Sequence, residues 1–167
     1  MLVLGLDPGL AITGYGLVRE SPTGELALVA YGAIKTAAED SLPERLLSIQ
    51  QQLDRLMAEH EPDAVAVEEL FFCRNVSTAL IVGQARGVEI LAAARHGLPV
   101  YEYKPMAVKQ AVSGYGQASK AQVQEMVRLL LDLDEVPQPD DAADGVAVAI
   151  CHLHSARLQG ILDAQLG

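Results

Sequence analysis

The residues in this sequence best placed to do chemistry are acids. Asp7 closes the apolar run LVLGLD, and Glu68 closes AVAVE. A carboxylate packed against a core costs several kcal/mol unless it is paired or bound to metal, so two acidic strand ends call for an explanation. In open α/β sheets, ligands gather at the carboxyl ends of strands. Asp7 and Glu68 meet there if their strands are adjacent and parallel. Glu69 competes with Glu68, because consecutive strand residues face opposite sides and only one of the two can point at a common site. Counting along AVAVE favours Glu68 and leaves Glu69 open. Asp141 and Asp144 lie three residues apart near the start of a helical segment, hence on one face. Negative charge is favoured in the first turn of a helix, so a plain end-of-helix role competes for these residues. That role suits Asp140 best; Asp144 precedes GVAVAI and turns toward an apolar stretch.

An all-oxygen donor set suits Mg²⁺ or Mn²⁺. Four carboxylates can hold two such ions roughly 4 Å apart, one activating a water and the other stabilising the leaving oxygen of a phosphodiester. No His/Cys cluster has zinc-ligand spacing. His152 and His154 are two apart on a helix, on different faces, and read as structural or surface residues. No Ser-His-Asp arrangement is legible from spacing.

The elements that must position these acids follow from periodicity and breakers. Residues 2–7, 12–19 and 26–35 read as three strands joined by the short turns DPGLA and SPTGE, an antiparallel meander. Ser41 and Glu44 form an S-x-x-E capping box that opens a helix to about His60. AVAVE at 64–68 suits a strand covered on both faces. A long helix is expected over 76–95, a fifth strand over 98–103, short helices over 104–113 and from Ser119 to about Leu131, and a last helix from about Asp140 to Arg157. The tail 159–167 is expected to fray. The order predicts an α/β fold with a mixed five-stranded sheet and helices on both faces, one domain over 1–158.

With 167 residues, half of them hydrophobic, one domain with a sizeable core is expected. No window of 18 uninterrupted apolar residues suggests a membrane span, and the N-terminus reads as a first strand, not a signal peptide. Two cysteines, Cys73 and Cys151, without a CxxC pair point to the reducing cytosol. The formal charge of −10 argues at first against a nucleic-acid partner. However, residues 70–131 carry Arg74, Arg86, Arg95, Lys104, Lys109, Lys120 and Arg128 against only Glu89, Glu102 and Glu125. The positive charge is concentrated in the middle third, which can face DNA.

The segments GLDPGLAITGYG (5–16), AVEELFF (66–72), GQARGVEILAA (83–93), VYEYKPMAVKQAVSGYGQASKAQVQEMV (100–127) and PDDAADGVAVAICH (139–152) together resemble the RuvC family of Holliday junction resolvases. The resemblance implies an RNase H-like fold, a homodimer and a Mg²⁺-dependent endodeoxyribonuclease (Mn²⁺ substituting) that nicks two opposed strands of a four-way DNA junction in recombination and repair. It also implies a junction-moving helicase complex as partner. By motif it selects Asp7, the first Glu of VEEL (Glu68), Asp141 and Asp144 as the metal-holding acids. In some relatives the position of Asp141 is a His; here it is Asp. The resemblance further implies that Phe71 stacks on a base at the opened crossover and that Lys109 and Lys120 stand near the scissile phosphate. Arg74 and Arg86 are further candidates for DNA contact. Ala79, Gly83 and Gly87 form a stripe of small residues that allows close approach of another helix. Packing onto the sheet would explain the stripe, and the resemblance favours a two-fold dimer interface. Three rival readings are an actin-like ATP phosphotransferase, a non-catalytic DNA-binding module of the same fold, and an RNase H-like nuclease with another substrate.

Overall fold

The computed structural model describes residues 1–70 and 76–166. It contains strands β1 (Leu2–Asp7), β2 (Ile12–Glu20), β3 (Leu26–Lys35), β4 (Ala64–Glu68) and β5 (Val100–Tyr103). The helices are α1 (Leu42–His60), α2 (Val76–Arg95), α3 (Pro105–Ser113), α4 (Lys120–Leu130) and α5 (Asp140–Leu166). The sheet order is β3-β2-β1-β4-β5. β1 and β2 pair antiparallel, as do β2 and β3, while β1–β4 and β4–β5 are parallel. This is the expected mixed sheet, with the meander on one side and the crossover strands on the other.

Strand parity divides the core into two layers. Leu2, Leu4, Leu6, Leu17, Val65 and Val67 pack with Ile49, Leu53 and Met57 of α1 and with Ala85, Ala92 and Ala93 of α2. Val3, Val18 and Ala66 face the opposite way, onto Val108 and Val112 of α3, Val123 and Val127 of α4 and the Val146–Leu153 stretch of α5. Burying each Leu or Val side chain stabilises the fold by about 1.5–3 kcal/mol. The alternation sends Asp7, in phase with Val3, and Glu68, in phase with Ala66, to the α5 side.

α5 sits unusually close to the sheet, and glycines permit it. A β-carbon on Gly5 would lie 2.2 Å from the Gly145 carbonyl oxygen, and one on Gly14 would lie 1.8 Å from that of Asp141. The first turns of α5 therefore rest directly on the backbones of β1 and β2. The caps at Ser41 and Ser119 form as expected: the Ser41 amide donates to Glu44 at 2.8 Å and the Ser119 amide to Gln122 at 2.8 Å.

Two boundaries differ from the expectation. β5 begins at Val100, not 98, because Gly97 adopts a left-handed φ of 69° and the Leu98 amide donates back to Ala93 at 3.1 Å, closing the end of α2. α5 continues past Arg157 to Leu166, through the segment expected to fray, where Gly160 alone opposes helix. Among the described residues one helix, α2, is long and apolar enough to cross a membrane by length and composition; here its inner face lies on the sheet.

Candidate active site

β1 and β4 run side by side in the same direction, with Leu6 opposite Val67. Their next residues, Asp7 and Glu68, therefore project together from the carboxyl edge, and the two carboxyls lie within hydrogen-bond reach. The Glu69 amide donates to the Tyr103 carbonyl at 2.8 Å, and strand alternation puts Glu69 in phase with Val65 and Val67, on the opposite side. The contact of α5 with β1 and β2 brings the start of that helix over the same edge.

The electrostatics show four acids sharing one region. Burial, then the charges of Glu68, Asp144 and Asp141, push the Asp7 carboxyl up to about 8, against an opposing pull from Lys120. Burial and Asp144 raise Glu68, while its hydrogen bond to Asp7 and the charges of Lys109 and Lys120 oppose the rise. Asp144 is raised by burial, against the hydrogen bond and charge of Lys120. Lys120 Nζ lies 2.8 Å from Asp144 Oδ2 and 3.8 Å from Asp140 Oδ2. Desolvation would lower this ammonium, but the Asp144 hydrogen bond and the surrounding acids outweigh it and raise it. Negative charge is thus in excess around Asp7, and one lysine offsets only part of it.

A cleft of about 250 Å³ opens onto Glu68, Asp144, Lys109 and Lys120, with Val108, Val123 and Ala147 forming an apolar floor. Asp141 faces a separate groove, lined by Gly9 to Ile12, Arg45, Ile81 and Val82. Roomier clefts beside Tyr115 and Met126, and beside His154 and Leu158, contain none of the four acids. Among the described residues, no three acid, imidazole or thiol groups are drawn together tightly enough to form a closed metal cage. The donor chemistry nonetheless fits a hard divalent cation: the site is rich in carboxylate oxygen, incompletely neutralised and flanked by lysines.

The remaining residues singled out in the sequence fall into four groups. Lys109 and Lys120 line the acid cleft. Arg86 is largely engaged within the protein: its guanidinium pairs with Glu102 of β5, and its Nε donates to the Glu68 carbonyl at 3.4 Å. That arrangement braces the end of β4 and leaves the side chain only 19% exposed. Phe71, Phe72 and Arg74 lie outside the described residues. His152 is buried, with Nδ1 2.8 Å from the Tyr103 hydroxyl, and His154 lies 3.0 Å from the Ala111 carbonyl. Both are structural, as their spacing suggested.

Sequence reasoning missed Glu89. It is fully buried on α2, against Thr13 of β2. A signal existed: Ala85, Glu89, Ala92 and Ala93 fall at helical spacing on one apolar face.

The model of the family described as "Crossover junction endodeoxyribonuclease RuvC" matches residues 3–152. A crossover junction endodeoxyribonuclease RuvC from Heliobacterium modesticaldum is 60% identical over 155 residues, covering 93% of this chain and 95% of the relative. A Thermus thermophilus RuvC structure superimposes with a TM-score of 0.89 at 40% identity, covering 95% of this chain and 97% of that one. A T. thermophilus RuvC solved in complex with a Holliday junction substrate gives 0.87 at 37% identity, covering 95% and 96%. With its RNase H-like architecture and near-complete coverage by these relatives, the chain belongs to the RuvC family of crossover junction endodeoxyribonucleases.

Proposed function

We propose that Asp7, Glu68, Asp141 and Asp144 hold the divalent metal with which this endonuclease cuts four-way DNA junctions, two ions serving each centre. The observation that carries this reading is the gathering of acids at the carboxyl edge of two parallel strands, where Asp7 is pushed up to about 8. Such a cluster is unfavourable to the fold without a cation and becomes useful with one. When bound, Mg²⁺ or Mn²⁺ supplies a nucleophilic water near neutral pH and charge stabilisation at the leaving oxygen.

The chain's own groups do the positioning. Asp7 and Glu68 are fixed by strands, and Asp141 and Asp144 by one helix, so the ligand atoms are set by rigid elements. Lys120, half exposed beside Asp144, and Lys109, across the same cleft, present positive charge to the scissile phosphate. Phe71 and Arg74 remain candidates for holding DNA at the crossover, on the strength of the resemblance. The nuclease domain spans 1–158, and its partners are four-way junction DNA and a branch-migration helicase complex. A cytoplasmic location belongs to this reading, supported by the two cysteines that form no CxxC pair.

The direct test is a nicking assay on labelled four-way, three-way and linear DNA, with and without Mg²⁺. Paired nicks at opposed strands of the four-way junction, dependent on the metal, are expected. Equal cutting of linear duplex, or cutting that persists in chelator, overturns the reading.

A symmetric cut needs two centres, and the outer face of α2 supports a second copy. Val76, Leu80 and Leu91 are 70%, 65% and 56% exposed, and a β-carbon on Gly87 would meet nothing within 4 Å. An apolar helix face of this kind, with small residues along it, suits a two-fold helix contact. Replacing Leu80 and Leu91 together with Glu is expected to yield a monomer in sedimentation and to convert paired cuts into single nicks. A double variant that sediments as a dimer excludes this face.

A further inference from the structure

We propose that Glu89 is a positioning residue for the metal site, acting through Thr13 to hold the turn that follows Asp7. The inference rests on the reading of Asp7 as a metal ligand.

Thr13 Oγ1 lies 2.8 Å from the Gly9 carbonyl oxygen and 3.0 Å from Glu89 Oε1, and both Thr13 and Glu89 are fully buried. A hydroxyl has one proton, and a carbonyl can only accept. The Thr13 proton therefore serves Gly9, and a carboxylic acid at Glu89 completes the chain by donating to Thr13. Its other oxygen, Oε2, has no hydrogen-bond partner among the described residues. The neutral form suits a group held up to about 8, chiefly by burial.

The chain of contacts has a clear mechanical reach. Gly9 is two residues beyond Asp7. Thr13 precedes Gly14, which is the register partner of Asp7 and lies against the backbone of Asp141. Strand parity turns Thr13 toward α2 and Gly14 toward α5. Glu89 thus grips one face of β2 while the other face seats the helix bearing two of the acids. Apolar packing alone would fill this position at less cost than a buried carboxyl, so the polar contact has a specific use. Ligand-supporting contacts of this kind are commonly worth about 10–100-fold in metal affinity.

The test reads Mn²⁺ binding by thermal stabilisation of the full-length protein without DNA, so that it does not depend on turnover. Glu89→Met is expected to fold and to melt no lower than wild type at pH 8, yet to need about 10–100-fold more Mn²⁺ for half-maximal stabilisation. Glu89→Gln, which retains a neutral donor, is expected to rescue the Mn²⁺ midpoint. Thr13→Val is expected to reproduce the shift, and Glu89→Met/Thr13→Val to add nothing further. A merely structural role would change melting temperature without separating Gln from Met in Mn²⁺ demand. The proposal is overturned if Met and Val leave the midpoint at the wild-type value while Asp7→Asn abolishes the stabilisation, or if Gln behaves as Met does. Full Mn²⁺ stabilisation in Asp7→Asn instead removes the metal-site reading on which the proposal rests.

Discussion

Asp7→Asn is expected to reduce junction nicking by about a thousandfold or more, the several kcal/mol of transition-state stabilisation that a positioned metal supplies. Junction binding, measured without metal, is expected to stay within a few-fold of wild type, because Asp7 lies among acids and repels phosphate. The same variant is expected to be more stable than wild type when metal-free. Asp7 in the folded chain is pushed up to about 8 from an ordinary value of 3.8. For an acid raised by folding, the native state retains a proton that the unfolded state releases. The penalty is absent below the unfolded value, grows as pH rises through the interval, and is complete above the folded value. Metal-free wild type should therefore lose stability from about pH 4 to pH 8, and the asparagine should remove much of that slope. In a chain of this size each kcal/mol recovered raises the melting temperature by about 2–4 °C. Nicking at a comparable rate by the variant, or a lower melting temperature at pH 8, contradicts the assignment. Mn²⁺ should stabilise wild type most at the upper end of this range, since it then replaces the proton.

How far the sequence reached depends on whether a feature is local. Asp7 and Glu68 were legible because each closes an uninterrupted apolar run, and such runs have a definite end. Asp141 and Asp144 were legible because the three-residue spacing survives any choice of helix boundary. The choice between Glu68 and Glu69 was not local. It is decided by phase: Val65 and Val67 face α1 and α2, and this sends Ala66 and Glu68 toward α5. Glu89 was missed for a related reason, although its helical spacing with Ala85, Ala92 and Ala93 places it on the apolar face. A charged residue in mid-helix reads as solvated unless its partner is known, and that partner is Thr13, 76 positions away. Arg86 reads as a free cation in the sequence, but Glu102, on a strand two neighbours from β1, engages it. The start of β5 moved because the Leu98 amide is used to end α2, a competition between neighbours that hydrophobic patterning does not register.

The second large effect is expected from Gly14→Ala. A methyl group there would stand 1.8 Å from the Asp141 carbonyl oxygen and 2.3 Å from its carbon. The obstacle is backbone, so no side chain can rotate away; either α5 lifts from the sheet or β2 bends. The helix has little freedom on its own side, because Gly145 already lies against the backbone of Tyr15, where a β-carbon would sit 2.6 Å from Cα. Overpacking of this kind typically costs about 1–3 kcal/mol, so a fall in melting temperature on the order of 3–10 °C is expected. The functional loss should be larger than the stability loss suggests. Lifting the first turns of α5 withdraws Asp141 and Asp144 from Asp7 and Glu68 together, and a displacement of about 1 Å in a catalytic constellation can cost 100-fold in rate. Gly160→Ala is the matched control: the same methyl meets open space on the same helix and should leave nicking unchanged while raising helix stability slightly. A folded Gly14→Ala protein that nicks junctions at the wild-type rate would show that the seating of α5 on the glycine track is not what brings the four acids together. A rate loss with Mn²⁺ demand raised in parallel would place the damage at the proposed metal ligands, where the contact between Gly14 and Asp141 says it should fall.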